Sequence, residues 1–98
     1  MTYASITVAE QLTMADYRTV AEQLGSQPAD GLVSEAAGCG EAGLHVITLW
    51  DSKADHERFV TQHLIPAFEA AGLRPGPMSF TDIDIGALYV RTNETANP

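Results

Sequence analysis

The sequence predicts an α+β fold, a four-stranded antiparallel sheet with two helices on one of its faces. Three observations predict it. The 98 residues fall into strand-like and helix-like stretches in the order β-α-β-β-α-β. Right-handed crossovers then place both helices on the same side of one sheet, the ferredoxin-like arrangement. The stretch Leu44 to Asp51 is apolar at both parities, with Leu44, Val46 and Trp50 on one side and Ile47 and Leu49 on the other. An antiparallel strand with one solvated face alternates instead. The third observation is length: a chain this short holds one core, so a single domain spans 1–98, ordered over about 3–91, with a polar tail at 92–98.

Each element has a local reason. Tyr3 to Glu10 alternates, with Ala4, Ile6 and Val8 on one face and Tyr3, Ser5 and Thr7 on the other. Thr13 stands three residues before Asp16, a capping-box pair, and Leu12 with Tyr17 forms a hydrophobic staple. A helix over about 14–24 follows, its stripe made by Met14, Tyr17, Val20, Ala21 and Leu24, with Gly25 at its end. Gly31 to Ala37 reads as the second strand. The three glycines of Gly38 to Gly43 predict a flexible turn, with Cys39 as an exposed turn thiol. Leu44 to Asp51 is the third strand. Ser52 and Asp55 cap a second helix over about 53–71, closed by Gly72. Pro66 lies inside it without a backbone donor, which predicts a bend or break between Gln62 and Pro66. Ser79 to Arg91 is the fourth strand, with Gly86 as a bulge.

Composition narrows the partners. Thirteen acidic residues against five basic ones leave a formal net charge of −8, which repels phosphate backbones and anionic lipid. Nucleic acid and membrane surfaces are therefore not expected partners. One cysteine cannot form an intrachain disulfide. Met1-Thr2-Tyr3 opens almost directly into strand-like sequence, no apolar run approaches the length that spans a bilayer, and a cytoplasmic location is expected. The sequon Asn93-Glu94-Thr95 would then go unread. Because two helices cover one side of the sheet only, the second apolar face needs an outside cover. A second copy packed sheet to sheet is the economical one.

The run Gly43-Leu44-His45-Val46-Ile47-Thr48-Leu49-Trp50-Asp51-Ser52, followed by Phe59, Leu64, Pro66-Ala67-Phe68 and Ala71-Gly72, resembles the dimeric α+β barrel superfamily. Within it the likeness is to small stand-alone members related to the antibiotic-biosynthesis monooxygenases. The resemblance covers about residues 3–91. It implies a pocket between helices and sheet in each subunit, with Trp50 on its wall. The haem-degrading branch pairs such a Trp with an Asn on the first strand and a His nine or ten residues after the Trp. Here the first strand has no Asn, and Phe59 and Val60 stand where that His would be. Haem is therefore not expected. The quinone-forming members use an Asn and Trp pair, and the only Asn residues of this chain are Asn93 and Asn97.

The chemistry-bearing candidates are few. His56 and His63 are seven residues apart, on the stripe of Phe59, Val60 and Ala67, and both should face the sheet. Each is either a hydrogen-bonded histidine at the core edge or a base for a cofactor-free oxygenation. Two rings some 10 Å apart along a helix make poor joint metal ligands. Trp50 is either core or a wall stacking on a flat ligand. Phe59 lies beside it, and Tyr17 is a staple residue whose hydroxyl could reach the pocket. His45 has the opposite parity to Trp50 and should face the other subunit. Glu35, at the parity of Val33 and Ala37, is a buried acid near His45 or an exposed strand residue. Asp82 and Asp84 face one way as a solvated strand rather than a metal site, and Cys39 has no base placed beside it.

The expected function is that of a small homodimer with a pocket for a small aromatic or quinone-like compound. The activity is that of a cofactor-independent monooxygenase, or a related isomerase or cyclase, with no metal and no cofactor. The alternative is a non-catalytic small-molecule-binding protein of the same fold.

Overall fold

The computed structural model describes residues 2–26 and 28–89. Strand β1 (Tyr3–Ala9) leads into helix α1 (Met14–Leu24), then a hairpin of β2 (Leu32–Gly40) and β3 (Gly43–Trp50). A second helical body follows, made of α2 (Lys53–Phe59), a π-helical turn (Val60–Leu64) and α3 (Ile65–Ala71), and strand β4 (Met78–Asp84) completes the sheet. The strand order is β2-β3-β1-β4, every pairing is antiparallel, and both helical bodies lie on one side. The ferredoxin-like α+β arrangement predicted from the sequence is the one observed.

The caps act as their residues dictate. The Thr13 side chain accepts the Asp16 amide at 3.2 Å while Asp16 accepts the Thr13 amide at 2.9 Å, satisfying two donors that the helix itself cannot. Ser52 accepts the Asp55 amide at 3.2 Å at the start of α2. Gly72, in the left-handed region, closes α3. The staple residues Leu12 and Tyr17 pack with Ala9 and Leu44 at one end of the core.

Four expectations are corrected. The glycine-rich segment is not a flexible loop: β2 runs through Gly38, Cys39 and Gly40, and only Glu41 and Ala42 stand between the strands. The ladder hydrogen bonds with β3 outweigh the weak strand preference of glycine, and Cys39 is an exposed strand residue rather than a turn thiol. Gly43 is held at φ +117, and a Cβ there would stand 2.5 Å from the Ala9 carbonyl oxygen. Only glycine makes this close approach to β1.

The second helix does not break before Pro66. It widens instead, with the Ile65 amide reaching back five residues to the Val60 carbonyl and the backbone staying right-handed helical throughout. Pro66 has no N–H and crowds the preceding turn, and a π turn relieves that crowding without ending the helix. The turn also changes the helical phase beyond residue 60.

Strand β2 carries an irregularity between Leu32 and Ser34. The extra residue is Val33, so Glu35 and Ala37 share a face with Leu32 rather than with Val33. The fourth strand ends at Asp84 and Gly86 is a bend beyond it, so no bulge forms there. The expected continuation is not observed over 85–89, which carry no strand, and the rest of it to Arg91 and the tail 92–98 lie outside the described residues.

Register fixes the two faces. Toward the helices point Tyr3, Ser5, Thr7 and Ala9 of β1, opposite Trp50, Thr48, Val46 and Leu44 of β3. Away from them point Ile6 and Val8, with Ile47 and Leu49 of β3 and Ile83 of β4. The branched aliphatic side of β1 thus faces outward, and Ile47 and Ile83 are each 42% exposed. No helix among the described residues is long and apolar enough to cross a membrane.

Candidate functional site

The last residue of β3, Trp50, is only 1% exposed. Its indole N–H donates to the Thr48 hydroxyl at 2.9 Å, two residues back on the same face of the strand, so the polar edge is satisfied and the ring is fixed. Helix α2 lays two rings on it. The His56 ring lies 5.3 Å from the indole and the Phe59 ring 5.2 Å from it, centroid to centroid and tilted by 52° and 40°. Tyr3, the cross-strand partner of Trp50 on β1, lies 5.7 Å from the same His56 ring. His63 follows Phe59 at 6.2 Å but is exposed. The expectation that both histidines face the sheet therefore holds for His56 only, because the π turn re-phases the helix between them.

These rings wall a cavity of about 110 Å³ between the helices and the sheet, mostly apolar, with Trp50, His56, Phe59 and Tyr17 on its surface. Next to it is a wider cleft of about 450 Å³ bordered by His63, Asp30 and the loop after α1. Tyr17, Ala21, Leu24, Glu35 and Phe59 belong to both. The cavity and the cleft therefore form one inner chamber and its mouth, and Tyr17 and Glu35 stand at the boundary.

Four of the five sequence-derived site residues, Trp50, His56, Phe59 and Tyr17, are brought to the inner cavity, while His63 is placed at the mouth. His45 faces away, on the open side of the sheet, its Nδ1 3.0 Å from the Gly43 carbonyl oxygen. Glu35 is not beside His45. It pairs with Thr48 on the helix side and accepts the Tyr17 hydroxyl through Oε2, because the irregularity at Val33 shifts its parity. Asp82 and Asp84 share the helix-side face, and Asp82 borders the same groove as Tyr3 and His56. Sequence reading gave Tyr3 and Asp82 no place beside the histidine. Only cross-strand register brings them there, and no local pattern encodes it.

Protonation follows from these surroundings. The His56 imidazole is lowered below its usual value by burial, against the pull of Asp82 and Glu57 toward the charged form, so it is neutral near pH 7. The Tyr17 hydroxyl is pushed up to about 12 by burial and by its bond to Glu35. The Tyr3 hydroxyl is pushed up to about 12 by burial and by Asp82. Both hydroxyls are therefore protonated at neutral pH, and that of Tyr17 donates to Glu35. Among the described residues no three of His, Cys, Asp or Glu stand close enough to share a metal ion.

The comparison with solved structures shows the fold. A Mycobacterium tuberculosis protein superposes with a TM-score of 0.65 at 14% identity, over 92% of this chain and all of its own. A Streptomyces coelicolor monooxygenase in complex with nanaomycin D gives 0.59 at 14% identity, over 93% of this chain and 92% of its own. The fold is that of the antibiotic-biosynthesis monooxygenase-like proteins. A cofactor-independent oxygenase of Streptomyces nogalater shares this monooxygenase-like fold at 0.56 and 16% identity, over 89% of this chain and 94% of its own. No family model matches the sequence, and no curated protein does.

Proposed function

We propose that the chain is a cofactor-independent monooxygenase acting on a small aromatic or quinone-forming compound held across the inner cavity and its mouth. The observation that carries this reading is the aromatic wall itself, a neutral imidazole packed against Trp50 and Tyr3 at a mostly apolar chamber. A flat ligand entering there stacks on Trp50 and Phe59. His56 is a base that starts uncharged and takes an acidic proton, phenolic or benzylic. The resulting electron-rich anion reduces dioxygen, and the two combine as a peroxide. Loss of water leaves the new carbonyl: one oxygen atom stays in the product, the other leaves as water, and the four electrons come from the substrate. An anthrone going to an anthraquinone balances in this way without an added reductant.

His63, at the mouth, orients the ligand or relays its proton to solvent. The nanaomycin D complex of the Streptomyces coelicolor protein supports a small-molecule ligand on this fold. The outward row Ile6, Val8, Ile47, Leu49 and Ile83 is covered by a second copy, giving a cytoplasmic homodimer closed sheet to sheet.

Oxygen uptake with a panel of anthrones and hydroquinones tests the reaction. Consumption of one dioxygen per product formed is expected. Quenching of Trp50 fluorescence by the same compounds with no uptake would make the protein a carrier of such ligands instead.

A further inference from the structure

Resting on the cavity assignment above, we infer that Glu35 selects the ligand by its charge and its hydrogen-bond donors. The pocket takes neutral hydroxylated or amine-bearing aromatics and turns away aromatic carboxylates.

Glu35 projects from the helix-side face of β2 at the boundary between the inner chamber and the mouth. Tyr17 of α1 donates to its Oε2 across that boundary. An ionised carboxylate has about four acceptor sites, so one resident donor leaves it able to take others from a ligand that passes. It has no donor to offer in return. The remaining charged residues lining the chamber and the mouth are Asp16 and Asp30, and the described lining contains no lysine or arginine. Asp16 is already engaged by the Thr13 amide and hydroxyl. An entering phenol O–H or ammonium therefore finds an acceptor at the exposed Glu35, while an entering carboxylate meets like charge at Glu35, Asp16 and Asp30 with no lysine or arginine to offset it. The position of Glu35 was set by one irregular residue, Val33, which turns an otherwise outward acid into the pocket.

Three 2-substituted naphthalenes, 2-naphthol, 2-methoxynaphthalene and 2-naphthoate, are titrated while following the single tryptophan indole N–H resonance of the full chain. In the wild type, 2-naphthol is expected to bind about tenfold more tightly than 2-methoxynaphthalene, and 2-naphthoate more weakly than either. Glu35→Gln keeps the shape and removes the charge, so the penalty on 2-naphthoate is expected to disappear. Tyr17→Phe leaves the carboxylate in place and is expected to keep the discrimination. Equal affinities for the three probes in the wild type, or a discrimination unchanged by Glu35→Gln, overturn the selectivity of Glu35 while leaving the pocket intact. No shift of the indole resonance by any probe overturns the pocket assignment itself and this inference with it.

Discussion

The His56 imidazole sits 5.3 Å from the Trp50 indole and 5.7 Å from the ring of Tyr3, its cross-strand neighbour, so a titratable group is packed against two aromatic rings. Charging it there means giving up hydration, which is why its proton affinity falls below the ordinary value. A histidine depressed in the folded state favours folding above its unfolded pKa, near 6.5. That contribution declines as the pH falls through the folded value. Urea midpoints measured from pH 7.5 down to pH 5 should therefore fall for the wild type, and fall less for His56→Gln, which has no charge to gain. An identical slope in the two proteins would mean that His56 is not packed against these rings.

Trp50 carries the largest buried side chain of the site. Trp50→Ala should cost about 3–5 kcal/mol by urea denaturation at fixed protein concentration, since the rings above it cannot fill the space. Trp50→Phe should cost less while still losing the bond to Thr48. Equal losses would mean that the indole is not packed as described.

The turn between β2 and β3 depends on Gly43 far more than on its neighbouring glycines. Gly43→Ala combines a positive φ with a collision against β1, and about 2 kcal/mol or more of destabilisation is expected. Gly86→Ala meets nothing within 4 Å and should be close to neutral. Thermal melts of both variants check the contrast.

Ile47 projects from the face that no helix covers. Ile47→Glu should turn the proposed dimer into a folded monomer in multi-angle light scattering, because the twofold axis would bring two buried carboxylates together. A wild-type chain already monomeric at micromolar concentration would leave the aliphatic row without the proposed cover.

Much of the fold was legible because its signals are local. Thr13 with Asp16, and Ser52 with Asp55, start helices through bonds within three residues, and the two-sided apolar pattern of β3 marks a strand that carries apolar side chains on both faces of the sheet. The site was legible in part. Trp50 at a strand end and Phe59 nine residues later imply a wall, whereas the place of His63 depended on how the helix accommodates Pro66. Glu35 was misplaced because parity counts fail across an irregular residue, and Val33 carries no mark that distinguishes it from its neighbours. Tyr3 and Asp82 reach His56 through pairings between β1, β3 and β4, which lie more than 30 residues apart in sequence.

The central claim is that His56, not His63, is the base of the cavity. Initial rates of oxygen uptake with the best anthrone of the panel, compared among the wild type, His56→Ala and His63→Ala, test it most directly. A loss of about a hundredfold or more is expected for His56→Ala, the usual scale of a removed general base, and a severalfold loss for His63→Ala. Full activity in His56→Ala with a collapse in His63→Ala would contradict it and move the chemistry to the mouth.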